Sequence, residues 1–275
     1  MKKSIIAFIL SICMFACLLT GCKNNQQPET PTEQTQVSVK IPEGKIFKDY
    51  PLNSATEKTK LGETTFLYHN LSSVENIKLG NPLPGDVVIV DDIKYIYNVI
   101  LESRDVPIYS NINGWSAVSI NQETKTTQNL KPDIFGVPVK SINYCFYLHK
   151  NLTDVKNLPN SVESANSAFE SCYNITTVDS LPTSLKNAKR MFAHCEQLKT
   201  LPQLPEQIEH IDEMFYYCTN VGGKINIPNS VLSFTNLFKY TTQDIVISSN
   251  HPYLLSITKP YVNVIFDKNS YPINK

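Results

Sequence analysis

Residues 152–172 read Leu152-Thr153-Asp154-Val155-Lys156-Asn157-Leu158-Pro159-Asn160-Ser161-Val162-Glu163-Ser164-Ala165-Asn166-Ser167-Ala168-Phe169-Glu170-Ser171-Cys172, and the same pattern returns every 23 residues. Phe146, Phe169, Phe192, Phe215 and Phe238 keep that interval, as do Pro159, Pro182, Pro205 and Pro228, and Cys172, Cys195 and Cys218. A fixed period of about 20–50 residues is the mark of a stacked repeat array. In the quoted unit Leu152, Val155 and Leu158 flank a short extended segment ending at Pro159. The chain must bend there, because proline lacks an amide donor and disfavours helix in the residue before it. Beyond the bend, Val162, Ala165, Phe169 and Cys172 fall at steps of three and four, which predicts one face of a helix or short 3₁₀ coil. Ser161, Ser184 and Ser230 stand where a hydroxyl can cap the first amides of that segment. Each unit is thus expected to make one strand and one helical return. Neither buries its apolar face alone, but stacked copies do, with parallel strands about 4.8 Å apart.

The register begins at Val139, Ile142 and Cys145 and continues to about residue 248. His149 and Thr241 replace cysteine in the first and fifth copies, and Lys224 takes an apolar slot in a fourth copy that loosens around Gly222-Gly223. The pattern Phe-x-x-Cys-x-x-Leu followed by Leu-Pro-x-Ser-Val/Leu resembles the BspA-type leucine-rich repeats of bacterial surface proteins. The segments Pro84-Gly85-Asp86, Asn113-Gly114-Trp115 and Val137-Pro138-Val139 are similar to what precedes such arrays. The resemblance implies an α/β solenoid: a leucine-rich repeat right-handed superhelix of 23-residue units with short parallel strands, over residues 131–275 with a C-terminal cap. It also implies display at the cell surface and adhesion to a host or matrix partner.

The N-terminus has a separate role. Lys2 and Lys3 precede an apolar run from Ile5 to Leu19, and Leu19-Thr20-Gly21-Cys22 follows. A charged start, a short apolar core and a small-residue cleavage site describe an export signal over residues 1–21, too short to span a membrane comfortably. Its end resembles the bacterial lipobox, which implies cleavage between Gly21 and Cys22 and acylation of the Cys22 thiol. Two or three acyl chains, at about 0.8 kcal/mol per buried methylene, would hold the chain at a bilayer. Residues 22–36 carry no apolar side chain after Cys22 and read as a tether. Residues 37–130 lack the period. Val87–Val90, Asp91-Asp92 and Ile93–Tyr97 read as a hairpin, and Trp115–Ile120 alternates in part, so a small β-rich unit capping the first repeat is expected. At the far end Asp244–Ser248 and Val262–Asp267 read as two last strands, with Tyr253, Leu254 and Ile257 closing the core.

Removal of the signal takes away Lys2 and Lys3, leaving 23 basic against 25 acidic side chains. Such a balance offers no electrostatic footprint for nucleic acid. No cofactor motif, metal-ligand spacing or catalytic set stands out. The cysteines lack the Cys-x₂-Cys clustering of a zinc site and read as a buried row of thiols. His194 beside Cys195 has no evident third partner for nucleophilic chemistry. Asn151, Asn174, Gln197, Asn220 and Gln243 also recur at 23 and suit a hydrogen-bonding column. The polar strand residues are expected on the concave face: Thr153, Asp154, Lys156, Thr176, Thr177, Asp179, Lys199, Thr200 and Gln203. They form the candidate binding face for a protein or glycan. An exported, lipid-anchored, non-catalytic binding protein is the leading reading. Envelope polysaccharide processing through Asp86, Asp91, Asp92, Glu102 and Asp105, or a structural envelope role, are the alternatives.

Overall fold

The computed structural model describes residues 56–61, 64–69, 74–103, 106–127, 129–249 and 264–266. The signal, Gly21, Cys22, the tether, Asp105, and the closing residues Tyr253, Leu254 and Ile257 lie outside the described residues. No helix among the described residues is long and apolar enough to cross a membrane.

The N-terminal part is a β-sheet. Strands β1 (Thr56–Leu61), β2 (Thr64–His69), β3 (Val87–Val90) and β4 (Ile93–Tyr97) run as antiparallel neighbours, with α1 (Val74–Lys78) between β2 and β3. Asp91 and Asp92 turn the β3–β4 hairpin with φ of 51° and 62°. This double left-handed turn matches the twist of the strands, and aspartate tolerates it. A separate hairpin, β5 (Val99–Ser103) and β6 (Val106–Tyr109), interrupts the order. The sheet then continues through β7 (Trp115–Ser119) to β9 (Val137–Ser141), with β8 (Asp133–Ile134) at its edge. β7 and β9 pair in parallel. At their junction a Cβ on Gly114 would lie 2.7 Å from the Pro138 carbonyl oxygen and 2.4 Å from Lys140 Cγ, so only glycine fits.

β9 is also the first rung of the repeat array. Ser141 bridges Ser164 in parallel, Ser164 bridges Asn187, Asn187 bridges His210, and His210 bridges Ser233. A second ladder carries the predicted strands: β10 (Asp154–Val155) beside β11 (Thr177–Val178), then β12 (Gly223–Asn226), β13 (Ile245–Ser248) and β14 (Val264–Phe266), all pairing in parallel. The hairpin, the strand at Trp115 and the strands at 245–248 and 264–266 stand where the sequence pattern puts them.

The return arm differs from expectation. Among the described residues of the array there is no helix; the arm is a run of overlapping three-residue-spaced turns. The amides of Ala168, Glu170 and Cys172 close onto the carbonyls of Ala165, Ser167 and Phe169. The alternate amides of Ala165, Ser167, Phe169 and Ser171 instead donate to Asn187, Lys189, Met191 and Ala193 of the next coil. A helix would spend every amide within its own coil and leave the neighbouring coil unpaired. The compromise requires left-handed backbone twice per coil: Tyr144 and Leu148, Ser167 and Ser171, Arg190 and His194, Glu213 and Tyr217, Asn236 and Tyr240 all have φ between 48° and 67°. Successive turns bury side chains three and four apart, which is why the spacing imitates a helix.

Two further expectations are corrected. Ser161 and Ser230 do not cap amides. Ser161 Oγ donates to the Val139 carbonyl at 2.8 Å, Ser230 Oγ to Ile208 at 2.7 Å and Ser249 Oγ to Ile227 at 2.6 Å, each reaching the preceding coil. Lys224 does not enter the core. Gly223 adopts φ 107°, a conformation open to glycine, and the chain extends so that Ile225 and Ile227 point inward while Lys224 is exposed.

The array is held by a column of phenylalanines. Phe146, Phe169, Phe192, Phe215 and Phe238 are all 2 % exposed or less, and successive rings stack at 5.5, 5.4, 5.9 and 5.7 Å within 9° of parallel. Trp115, Tyr95, Ala117 and Ile142 join the same core, so the sheet closes the open end of the array. Phe192→Ala, in the middle of the stack, is expected to lower the unfolding free energy by about 3–5 kcal/mol. Phe238→Ala, with a described ring on one side, should cost less. Urea titration of both variants measures this; equal losses would mean that stacking adds nothing to burial.

Candidate functional site

The nine predicted binding-face residues come together along the short-strand ladder, in rows set by the period. Thr153, Thr176 and Lys199 form one row, Asp154, Thr177 and Thr200 the next, and Lys156 and Asp179 a third, with Gln203 at the edge. The rows are not equally available. Residues 121–127 run beside the first coil as an additional rung, which the sequence pattern did not show because that rung carries no phenylalanine or cysteine. Lys125 O accepts from the Thr153 amide at 3.0 Å and from its hydroxyl at 3.1 Å. The Thr127 hydroxyl donates to Lys156 O at 2.5 Å and accepts from the Lys156 amide at 2.6 Å. Asp154 lies 3.5 Å from Lys156 Nζ and accepts from Thr153 Oγ1. The first coil's polar groups are therefore partly engaged. Thr177, Asp179, Lys199, Thr200 and Gln203 on the next two coils are exposed. This patch offers donors and acceptors of both charges, and no aromatic ring.

Two members of the carboxamide column, Asn174 and Asn220, bond the coil before, while Asn151 donates to Glu123 and Gln243 to the Thr242 hydroxyl. Asn174 Nδ2 donates to Lys150 O at 2.8 Å and Asn220 Nδ2 to Glu196 O at 2.7 Å, each satisfying a carbonyl of the coil before. The thiols form a ladder. Cys172, Cys195 and Cys218 are buried and free, and their Sγ atoms donate to the carbonyls of Phe146, Phe169 and Phe192 at 2.9, 3.2 and 3.0 Å. His149 takes the thiol position of the first coil. It is buried against Phe146, and its Nε2 lies 3.0 Å from Ser119 Oγ of β7, so it joins array to sheet. His194 does not face Cys195: the thiol points inward while the imidazole stacks on Tyr217 at 5.1 Å. The carboxylates of the enzymatic alternative are spread out. Asp86 is fully buried and accepts from the Leu83 amide, Asp91 pairs with Lys131 at 2.7 Å, Asp92 accepts from Asn121, and Glu102 sits on β5.

A cluster on the return arm was not singled out from the sequence. Arg190 Nε and Nη2 donate to Glu170 at 3.1 and 2.7 Å, and Nη1 pairs with Glu213. The hydrogen bonds it donates to Glu170 hold the Arg190 guanidinium charged well beyond its ordinary range, despite partial burial. The guanidinium lies 5.7 Å from the centre of the Tyr216 ring. Tyr216 meets Tyr240 edge-on at 5.4 Å, Tyr217 meets Tyr240 at 5.3 Å, and Lys239 Nζ lies 5.2 Å over Tyr240. The signal lay in the 23-residue columns themselves: Arg190 precedes Glu213, and His194 precedes Tyr217 and Tyr240.

Residues 119–246 match the BspA type leucine rich repeat region, in six copies. That is one more than the five phenylalanine-marked units, and the match begins just before the additional rung at 121–127. Among solved structures the chain is similar to the crystal structure of a T. pallidum leucine-rich repeat protein, at 22 % identity and a TM-score of 0.42, covering 49 % of this chain and 64 % of that one. The chain thus spans under two thirds of that protein's length. No curated protein matches.

Burial pushes the Cys172 and Cys218 thiols up to about 12 from a value of 9.0, and it raises Cys195 in the same direction. The unfolded chain ionises these thiols first. Their contribution to stability is therefore complete below pH 9 and is lost as pH rises toward 12. Iodoacetamide at neutral pH is expected to leave all three unmodified in the native protein and to label them in denaturant. Mass spectrometry reads the difference, and rapid native labelling would contradict the buried row.

Proposed function

We propose that this chain, whose residues 119–246 match the BspA type leucine rich repeat region, is an exported, lipid-anchored bacterial surface protein whose array binds a protein or glycan partner without catalysis. The observation that carries the reading is the strand-ladder face. Thr177, Asp179, Lys199, Thr200 and Gln203 stand side by side and exposed on adjacent coils whose backbone is already satisfied by neighbouring coils. Their side chains are free to meet a partner without disturbing the ladder, and a preformed surface of this kind spends little ordering entropy on binding. Mixed charges and hydroxyls favour hydrogen-bonded recognition over an apolar interface. Residues 1–21 and Cys22 supply the export signal and the lipid, with residues 22–36 as spacer. In this reading residues 37–130 cap the array and residues 131–275 carry recognition.

Two measurements test it. Cys22→Ala is expected to abolish incorporation of radiolabelled palmitate and to move the protein out of the membrane fraction; continued labelling would remove the anchor from the proposal. Lys199→Ala and Asp179→Ala, both at exposed positions of that face, are each expected to weaken capture on glycan and matrix-protein arrays by about 1 kcal/mol while leaving the melting temperature in place. Unchanged capture by both variants would take the binding site off this face.

A further inference from the structure

The return-arm cluster is chemically unlike the strand-ladder face. We propose that His194, Tyr216, Tyr217 and Tyr240, together with the Glu170–Arg190–Glu213 network, form a second binding site, for a neutral glycan. Three observations carry this.

The first is the presentation of rings. Tyr217 and Tyr240 are 40 % and 51 % exposed, a large apolar area to leave in water. Tyr217 is backed by the His194 ring, tilted 24° from parallel, and Tyr240 is braced edge-on by Tyr216. A pyranose ring has one face of C–H groups bordered by hydroxyls, and an immobilised aromatic ring complements that face.

The second is charge. The guanidinium of Arg190 is committed to two carboxylates, one of which, Glu170, is only 9 % exposed, and Lys239 stands over Tyr240. Two carboxylates face two cations, so the patch offers no net charge to an anionic or cationic ligand. What it does offer is a set of planar donors and acceptors fixed in place, able to meet hydroxyls without reorganising. A protein partner would draw on tyrosine and arginine as well, but an arginine held by two carboxylates is not free to reach into a partner's pocket.

The third is backbone. Arg190, His194, Glu213, Tyr217 and Tyr240 all occupy left-handed positions with φ of 55–67°. Glycine or asparagine is the comfortable residue there, and a bulky ring or chain is strained. The architecture requires the conformation in every coil, but it does not require aromatic side chains. The earlier coils place Leu148 and Ser171 in the column that holds His194, Tyr217 and Tyr240.

The site is independent of the strand-ladder face, and the test separates them. Full-length protein in detergent is titrated by ligand-observed NMR with cellohexaose, chitohexaose and maltohexaose, and with a sulfated heparin hexasaccharide. Saturable binding of at least one neutral hexasaccharide is expected, weakened about tenfold by Tyr217→Asn and by Tyr240→Asn, the scale of one lost aromatic contact. Asparagine tolerates left-handed backbone, so both variants should melt no lower than the parent. Lys199→Ala should leave this binding unchanged. The proposal is overturned if no neutral hexasaccharide binds at millimolar concentration, if only the sulfated one does, or if binding survives both tyrosine changes. Binding lost in Lys199→Ala alone would also overturn it and would assign glycan recognition to the other face.

Discussion

Each coil of this molecule must meet the next at one distance that serves two requirements. The backbone amides of one coil have to reach carbonyls of its neighbour, and the phenylalanine rings have to stack. The rings settle 5.4–5.9 Å apart and the inter-coil hydrogen bonds close at 2.7–3.4 Å, so both are met together. A residue inserted anywhere in a coil would put a ring, a thiol and a carboxamide out of line with their copies at once. That is why the interval holds without slippage from Phe146 to Phe238, and why the one local change of spacing, at Gly222-Gly223, is absorbed before Pro228. The array cannot begin abruptly, because its first coil would expose the same unpaired groups. β7 and the rung at 121–127 supply the missing partners: Ser119 donates to Cys145 and Lys125 accepts from Thr153.

Much of this is written in residue spacing. The stacked array, its parallel ladders, the β3–β4 hairpin, the inward thiols and the inter-coil bonds of Asn174 and Asn220 follow from period, apolar pattern and side-chain chemistry. The helical return does not survive, because spacing of three and four is shared by helices and by overlapping turns. Only the demand of the neighbouring coil for hydrogen bonds decides between them. The serines illustrate the same limit. A hydroxyl after a proline suits a cap locally, but a carbonyl 22 residues earlier in the chain is the nearer partner. Lys224 stands in an apolar slot of the strict period but is exposed, because Gly223 lets the chain leave the register there.

The candidate surfaces divide in the same way. Rows at a common phase place Thr177, Lys199 and their neighbours side by side, so their grouping was legible. Partial occlusion of the first coil was not, since residues 121–127 form a rung without the repeat's marker residues. The return-arm cluster was hidden for another reason. Its members fall in three columns, Arg190 with Glu213, Glu170 with Tyr216 and Lys239, and His194 with Tyr217 and Tyr240, and the columns meet only because the turns project them outward side by side. A scaffold that fixes every coil alike leaves outward positions free to differ, which is how Leu148 and Ser171 on early coils give way to His194, Tyr217 and Tyr240 on later ones.

The direction of the inter-coil bonds has an electrostatic consequence. Along the return arm the amides of one coil donate forward, as from Ser167 to Lys189. At the proline bend and along the first coils of the strand ladder they donate backward, as from Lys186 to Glu163 and from Thr176 to Thr153, whereas Gly223 and Ile227 on the β12 rung donate forward to Asp244 and Ser248. Peptide dipoles of the two senses therefore oppose one another along the stacking axis. An α-helix aligns its dipoles and accumulates partial charge at its ends; each coil here sets forward-pointing bonds against backward-pointing ones. A coil added to the stack therefore brings opposed peptide dipoles, where a turn added to a helix brings aligned ones.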